Sequence, residues 1–109
     1  MKIEKIDVGK IQENDWNPNV MPKEKFEILV KHIQKSGCVQ PILIRPIQSS
    51  NPFIEFEIVD GAHRFRASRK AGLNEIDCVI MDLSESQAKS FTISMNNLRG
   101  KFDEMGLAG

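Results

Sequence analysis

Val59-Asp60-Gly61-Ala62-His63-Arg64-Phe65-Arg66-Ala67-Ser68-Arg69-Lys70-Ala71-Gly72 joins the end of a β-branched strand to a short basic helix through a glycine turn. Upstream, Ile54, Phe56 and Ile58 alternate with Glu55 and Glu57, the period of a strand with one face buried. Gly72 supplies the stop for the helix. The first backbone N–H groups of a helix have no intrahelical partner, and with the aligned peptide dipoles they favour negative charge at Gly61 to Arg64, by roughly 0.3 to 1 kcal/mol from the dipole alone. His63 and Arg64 in the first turn invert the preference of an unliganded helix, since cations there oppose the dipole. A phosphate resolves the conflict, and the planar guanidinium of Arg64 can meet it bidentately. The competing reading is a solvated basic face, which also suits Arg66, Arg69 and Lys70. Asp60 is placed either to cap the helix or to act as a base or magnesium partner beside phosphates.

Outward from this segment, Ile76 to Met81 is apolar on both faces, as in an inner strand, so the strand, helix and strand read as a βαβ unit with a right-handed crossover. Ile3 and Ile6 suggest an opening strand running into the turn formers Asn14 to Asn19. Pro22 suits a helix start, and Phe26, Leu29, Val30 and Ile33 form one apolar stripe ending at Ser36-Gly37, a helix expected to pack on the sheet. Val39 to Ile47, with prolines at 41 and 46, reads as a short edge strand. Ser84 and Gln87 fit a capping box for a helix whose stripe is Ala88, Phe91, Met95 and Leu98 and which Gly100 ends. The domain boundary therefore falls at 1–100. Residues 101–109 read as the start of a severed further element, with Phe102-Asp103-Glu104-Met105 as its cap and first turn.

Composition narrows the function. The 109 residues allow one domain with a modest core, and fifteen basic residues balance fifteen acidic ones, so no global charge draws the chain to nucleic acid or anionic lipid. No apolar run approaches the ~20 residues that cross a bilayer, and a membrane role is excluded on that basis. Cys38 and Cys78 have neither metal nor redox spacing and read as thiols of a reducing, cytoplasmic compartment. No metal-ligand set is visible. His32 faces away from the stripe of its helix and reads as a surface residue, and Trp16 either staples its loop to the core or stacks a base. Asn96-Asn97-Leu98-Arg99-Gly100 alone is a helix C-terminus with a dipole-compensating arginine.

Asn17-Pro18, Ser36-Gly37, the run Val39-Gln40-Pro41-Ile42-Leu43-Ile44-Arg45, the Asp60 to Gly72 segment and Asn96 to Gly100 occur in an order that resembles the amino-terminal domain of the ParB/sulfiredoxin-like superfamily. That resemblance implies an α+β fold, a small mixed β-sheet with flanking helices. It implies a nucleotide (CTP, ATP or ADP, with Mg2+) whose phosphates are held by Gly61, His63 and Arg64. Gln40, Pro41 and Arg45 would line the neighbouring wall, and Asn97 matches the amide that assists phosphate and metal binding. The family's partition proteins have Gly-Glu-Arg-Arg at the turn and a glutamate where Asn96 stands, so the carboxylate for hydrolysis is missing. Ala62 replaces the sulfiredoxin cysteine, which removes sulfinate repair. Asp-Gly-x-His-Arg also resembles the superfamily's free serine kinases and its phage members described as nucleases; no carboxylate cluster supports nuclease chemistry. The expectation is a nucleotide switch in chromosome or plasmid partition, phage maintenance or transcriptional control. It would reach DNA through a downstream helix-turn-helix, and its other expected partner is a second copy of itself in a homodimer. The alternatives are a small kinase or phosphohydrolase using Asp60 and His63 as catalytic groups, or direct DNA contact by the Arg64 to Lys70 helix.

Overall fold

A computed structural model describes residues 2–16, 20–38 and 40–104. Asn17, Pro18 and Val39, part of the motifs above, and Met105 to Gly109 lie outside the described residues. The strands are β1 (Ile3–Asp7), β2 (Ile11–Gln12), β3 (Ile42–Pro46), β4 (Phe56–Asp60) and β5 (Glu75–Ile80); the helices are α1 (Lys23–Ser36), α2 (Ala62–Lys70) and α3 (Glu85–Glu104). They form a mixed sheet of order β1-β5-β3-β4-β2. β1 runs antiparallel to β5 and β3 antiparallel to β4, while β3 with β5 and β2 with β4 are parallel.

Four expectations about the strands and α3 change. β3 is an inner strand, not an edge, because its prolines flank the ladder instead of interrupting it: Pro41 precedes the strand and Pro46 is its last residue. β4 is buried on both faces instead of one. The alternation assigned Glu57 to solvent, but Arg45, its cross-strand partner, donates to the carboxylate at 3.0 Å and Gln12 at 3.3 Å. The β4–α2–β5 segment is not a parallel βαβ unit. β3 lies between β4 and β5, antiparallel to one and parallel to the other, so β5 begins at the end of the sheet where β4 stops. The gap is two strand spacings, about 9.6 Å, which the nine residues of α2 span at about 14 Å. Finally, α3 continues through Gly100 to Glu104. One glycine costs a helix about 1 kcal/mol, too little to stop one started by the capping box, in which the Gln87 amide N–H donates to Ser84 Oγ and the Ser84 amide to Gln87 Oε1.

Phe65 of α2 enters the main core with Ile11, Ile42, Ile44, Ile58, Ile76 and Cys78; fully burying each large apolar side chain contributes roughly 1.5 to 3 kcal/mol. The α1 stripe packs on Ala67 and Ala71 of α2 and on Leu73, so α1 covers α2 and not the sheet. α3 crosses β4, where the Thr92 hydroxyl lies 2.9 Å from the Val59 carbonyl oxygen and accepts from the Trp16 indole at 3.4 Å. Trp16 thus staples its loop. Both cysteines are free thiols; burial, with Asp77 nearby, pushes Cys78 up to about 12. No helix among the described residues is long and apolar enough to cross a membrane.

Arg45 and Glu57 form a mostly buried ion pair. Removing one member strands the other, so Glu57→Ala should lower stability by about 3 to 5 kcal/mol in urea denaturation, whereas replacing both with apolar residues of similar volume should recover most of that loss.

A phosphate-sized cleft where two helices begin

The strand-to-helix turn is built as its residues require. Gly61 sits at φ +109°, the left-handed region that side chains disfavour, and a Cβ there would lie 2.9 Å from Arg64 Nη2 and 3.2 Å from Ile42. The first i→i−4 bond of α2 runs from Phe65 N–H to Gly61 O, which leaves the amides of Ala62, His63 and Arg64 ahead of it. Among the described residues no side chain caps them. Asp60 therefore does not cap α2. Its carboxylate, with only 10% of the side chain exposed, takes Arg99 Nη2 at 2.8 and 2.7 Å and lies 3.9 Å from Arg64.

These groups face a cleft of about 410 Å³ lined by Val20 to Pro22, Lys25, Asp60 to Arg64 and Arg99. α1 also starts here, behind Pro22 and with no side-chain cap. Among the described residues, two helix N-termini without a side-chain cap thus converge on one cleft that holds Lys25, Arg64 and Arg99 against a single carboxylate, Asp60. Arg64 is held in place by Gln40 Oε1 at 2.6 Å and the Pro41 carbonyl at 3.3 Å. Its buried Nε has no hydrogen-bond partner among the described residues.

Of the site residues expected from sequence, Asp60, Gly61, His63 and Arg64 line the cleft, and Gln40 and Pro41 reach it through Arg64. The structure does not bring Arg45 there, since its guanidinium is engaged by Glu57 and the Leu83 carbonyl. Asn97 is exposed on α3, two residues from Arg99. Arg66 faces outward, paired with Glu13 at 2.7 Å, while Arg69 and Lys70 lie over the Phe65 and Phe26 rings. His32 is exposed, as expected. Sequence reasoning missed Lys25 and the cleft role of Arg99. Lys25 carried the same signal as His63, a cation in the first turn of a helix. Among the described residues no group of three or more His, Cys, Asp or Glu could hold a metal.

A family model described as the ParB N-terminal domain matches residues 1–97. The chain belongs to that family. Among relatives of this ParB-type domain, a nucleoid occlusion protein of Geobacillus sp. (strain WCH70) is 33% identical over 96 residues, 87% of this chain and 33% of that protein. The chain spans about a third of the length of the curated relatives it matches. The C-terminally truncated chromosome-partitioning protein ParB of Caulobacter crescentus, complexed with CTP-gamma-S, superposes with a TM-score of 0.77 at 29% identity, over 88% of this chain and 53% of that one. The same protein complexed to the centromeric parS site gives 0.65 at 30% identity, over 89% and 49%. Sulfiredoxin from Arabidopsis thaliana shares the fold, with a TM-score of 0.64 at 22% identity over 79% of this chain and 91% of that one. The ParB/sulfiredoxin-like architecture expected from the motifs is the one found.

Two measurements probe the cleft. Gly61→Ala should cost about 1 to 3 kcal/mol of stability in urea denaturation, through the strained φ and the contact with Arg64. Burial lowers the His63 pKa below the ordinary 6.5; Arg66 lowers it too, Glu13 opposes, and Arg99 adds to the lowering. The stability held by the neutral imidazole is complete above about pH 6.5 and is lost as pH falls below it. The decline of the urea midpoint from pH 7 to 5 should therefore be shallower in His63→Asn.

Proposed function

We propose that this chain is a nucleotide-binding domain of ParB type that holds the phosphates of a nucleoside triphosphate, CTP foremost, at Gly61 to Arg64. The observation that carries the reading is the convergence of two uncapped helix N-termini on a cleft with a two-charge excess of cation. The amides of Ala62, His63 and Arg64 would donate to phosphate oxygens, Arg64, Arg99 and Lys25 would balance their charge, and a neutral His63 would add an imidazole N–H. One feature fits an anion: the Arg64 Nε, which has no hydrogen-bond partner among the described residues. Gln40 and Pro41 hold Arg64 toward the cleft, and Asn97 stands near its α3 rim. Magnesium, if it accompanies the polyphosphate, would find Asp60 as its protein carboxylate and complete its shell with phosphate oxygens and water.

The domain would act as a switch in chromosome or plasmid partition or nucleoid occlusion, in the cytoplasm, as a homodimer that contacts DNA through a part of the protein outside this chain. The Caulobacter neighbour with CTP-gamma-S and its complex with parS support this reading. A kinase or phosphohydrolase is not favoured, because Asp60 is engaged by two arginines and Asn96 stands where the partition proteins carry a carboxylate.

Titration of CTP, ATP, ADP and GTP with magnesium against the chain should give saturable binding. Arg64→Ala should weaken it roughly 10- to 100-fold, the worth of a charge-assisted bond, while Arg64→Lys should restore part of the loss. Equal weak binding by wild type and Arg64→Ala would overturn the site.

A further inference from the structure

Asp60 is a misfit in a phosphate cleft. It places a carboxylate among the groups that would meet an anion, and that carboxylate already takes Arg99 through both oxygens, at 2.8 and 2.7 Å, as a phosphate would. The cost of burying the charge is offset by this contact and by Arg64 at 3.9 Å. Arg99 spends its charge on Asp60 although its own side chain is 47% exposed and lines the cleft, while its Nη1 donates to Asn96 Oδ1 at 3.5 Å. The pair also ties the distal half of α3 to the end of β4, well beyond the attachment at Thr92.

Resting on the phosphate-site reading above, we infer that Asp60 is a resident competitor of the polyphosphate. It holds Arg99 through both carboxylate oxygens, and phosphate must take that guanidinium from it. The ion pair sets the affinity threshold of the site. Apparent affinity scales with the fraction of molecules in which Arg99 is free of Asp60, so removing the competitor raises it.

The probe is inorganic triphosphate in metal-free buffer, which keeps magnesium from bridging Asp60 to the ligand. Calorimetry should show Asp60→Asn binding on the order of tenfold more tightly than wild type, and Arg99→Ala more weakly. In an Arg99→Ala background the Asp60→Asn gain should shrink to about threefold or less, the part due to removing charge alone. Should Asp60→Asn fail to fold, the wild-type chain decides: with 13C-labelled aspartate, the Asp60 carboxyl resonance should move at triphosphate saturation. No gain in Asp60→Asn, an equal gain with Arg99 absent, or an unmoved carboxyl resonance would overturn the inference while wild-type binding keeps the phosphate site standing. No binding by wild type or any variant would remove both.

Discussion

A carboxylate buried at the end of a strand must find cations, and much of the structure around Asp60 answers that demand. Arg99 comes to it from α3 and Arg64 from α2, two elements that the sheet alone would not bring together. Because Asp60 is used in this way, the start of α2 is left without a side-chain cap, and Gly61 can take the left-handed conformation that turns the chain sharply into the helix. The same short segment thus supplies the internal ion pairs and the exposed amides. Burial of one acid and availability of three N–H groups are two outcomes of a single turn.

The layering around this turn keeps it in place. Phe65 anchors α2 to the sheet while Ala67 and Ala71, on another side of the helix, receive the α1 stripe. Small residues there let the two helices approach closely, and that approach brings the start of α1 beside the start of α2. On the neighbouring strands, Arg45 and Glu57 join β3 to β4 below the cleft and take no part in it.

Much of this was legible in the residues. The strand, turn and basic helix, the α1 stripe and the Ser84-Gln87 capping box all rest on local rules of period and capping, and local rules act wherever they are written. What was not legible depends on partners distant in sequence. Nothing near Glu57 announces Arg45, so an acid in an alternating strand read as solvent-facing. Strand order escaped for the same reason, since flanking prolines look alike beside an edge strand and an inner one. In the sequence Arg99 reads as a C-terminal cation because Gly100 reads as the end of its helix, and only the continuous α3 and the position of Asp60, 39 residues away, give it another role.

The sheet order has a consequence for how the chain is made. β1 precedes the other strands of the sheet in sequence yet pairs with β5, with Ile3 opposite Val79. Until residue 80 has left the ribosome, β1 has no neighbour in the sheet, and β3 lacks its parallel partner on one side. Contacts so far apart in sequence slow folding, so the nascent chain carries an unpaired Ile3–Asp7 segment until β5 has emerged. Its charges, Glu4, Lys5 and Asp7, are the kind that discourage wrong strand pairing during that wait.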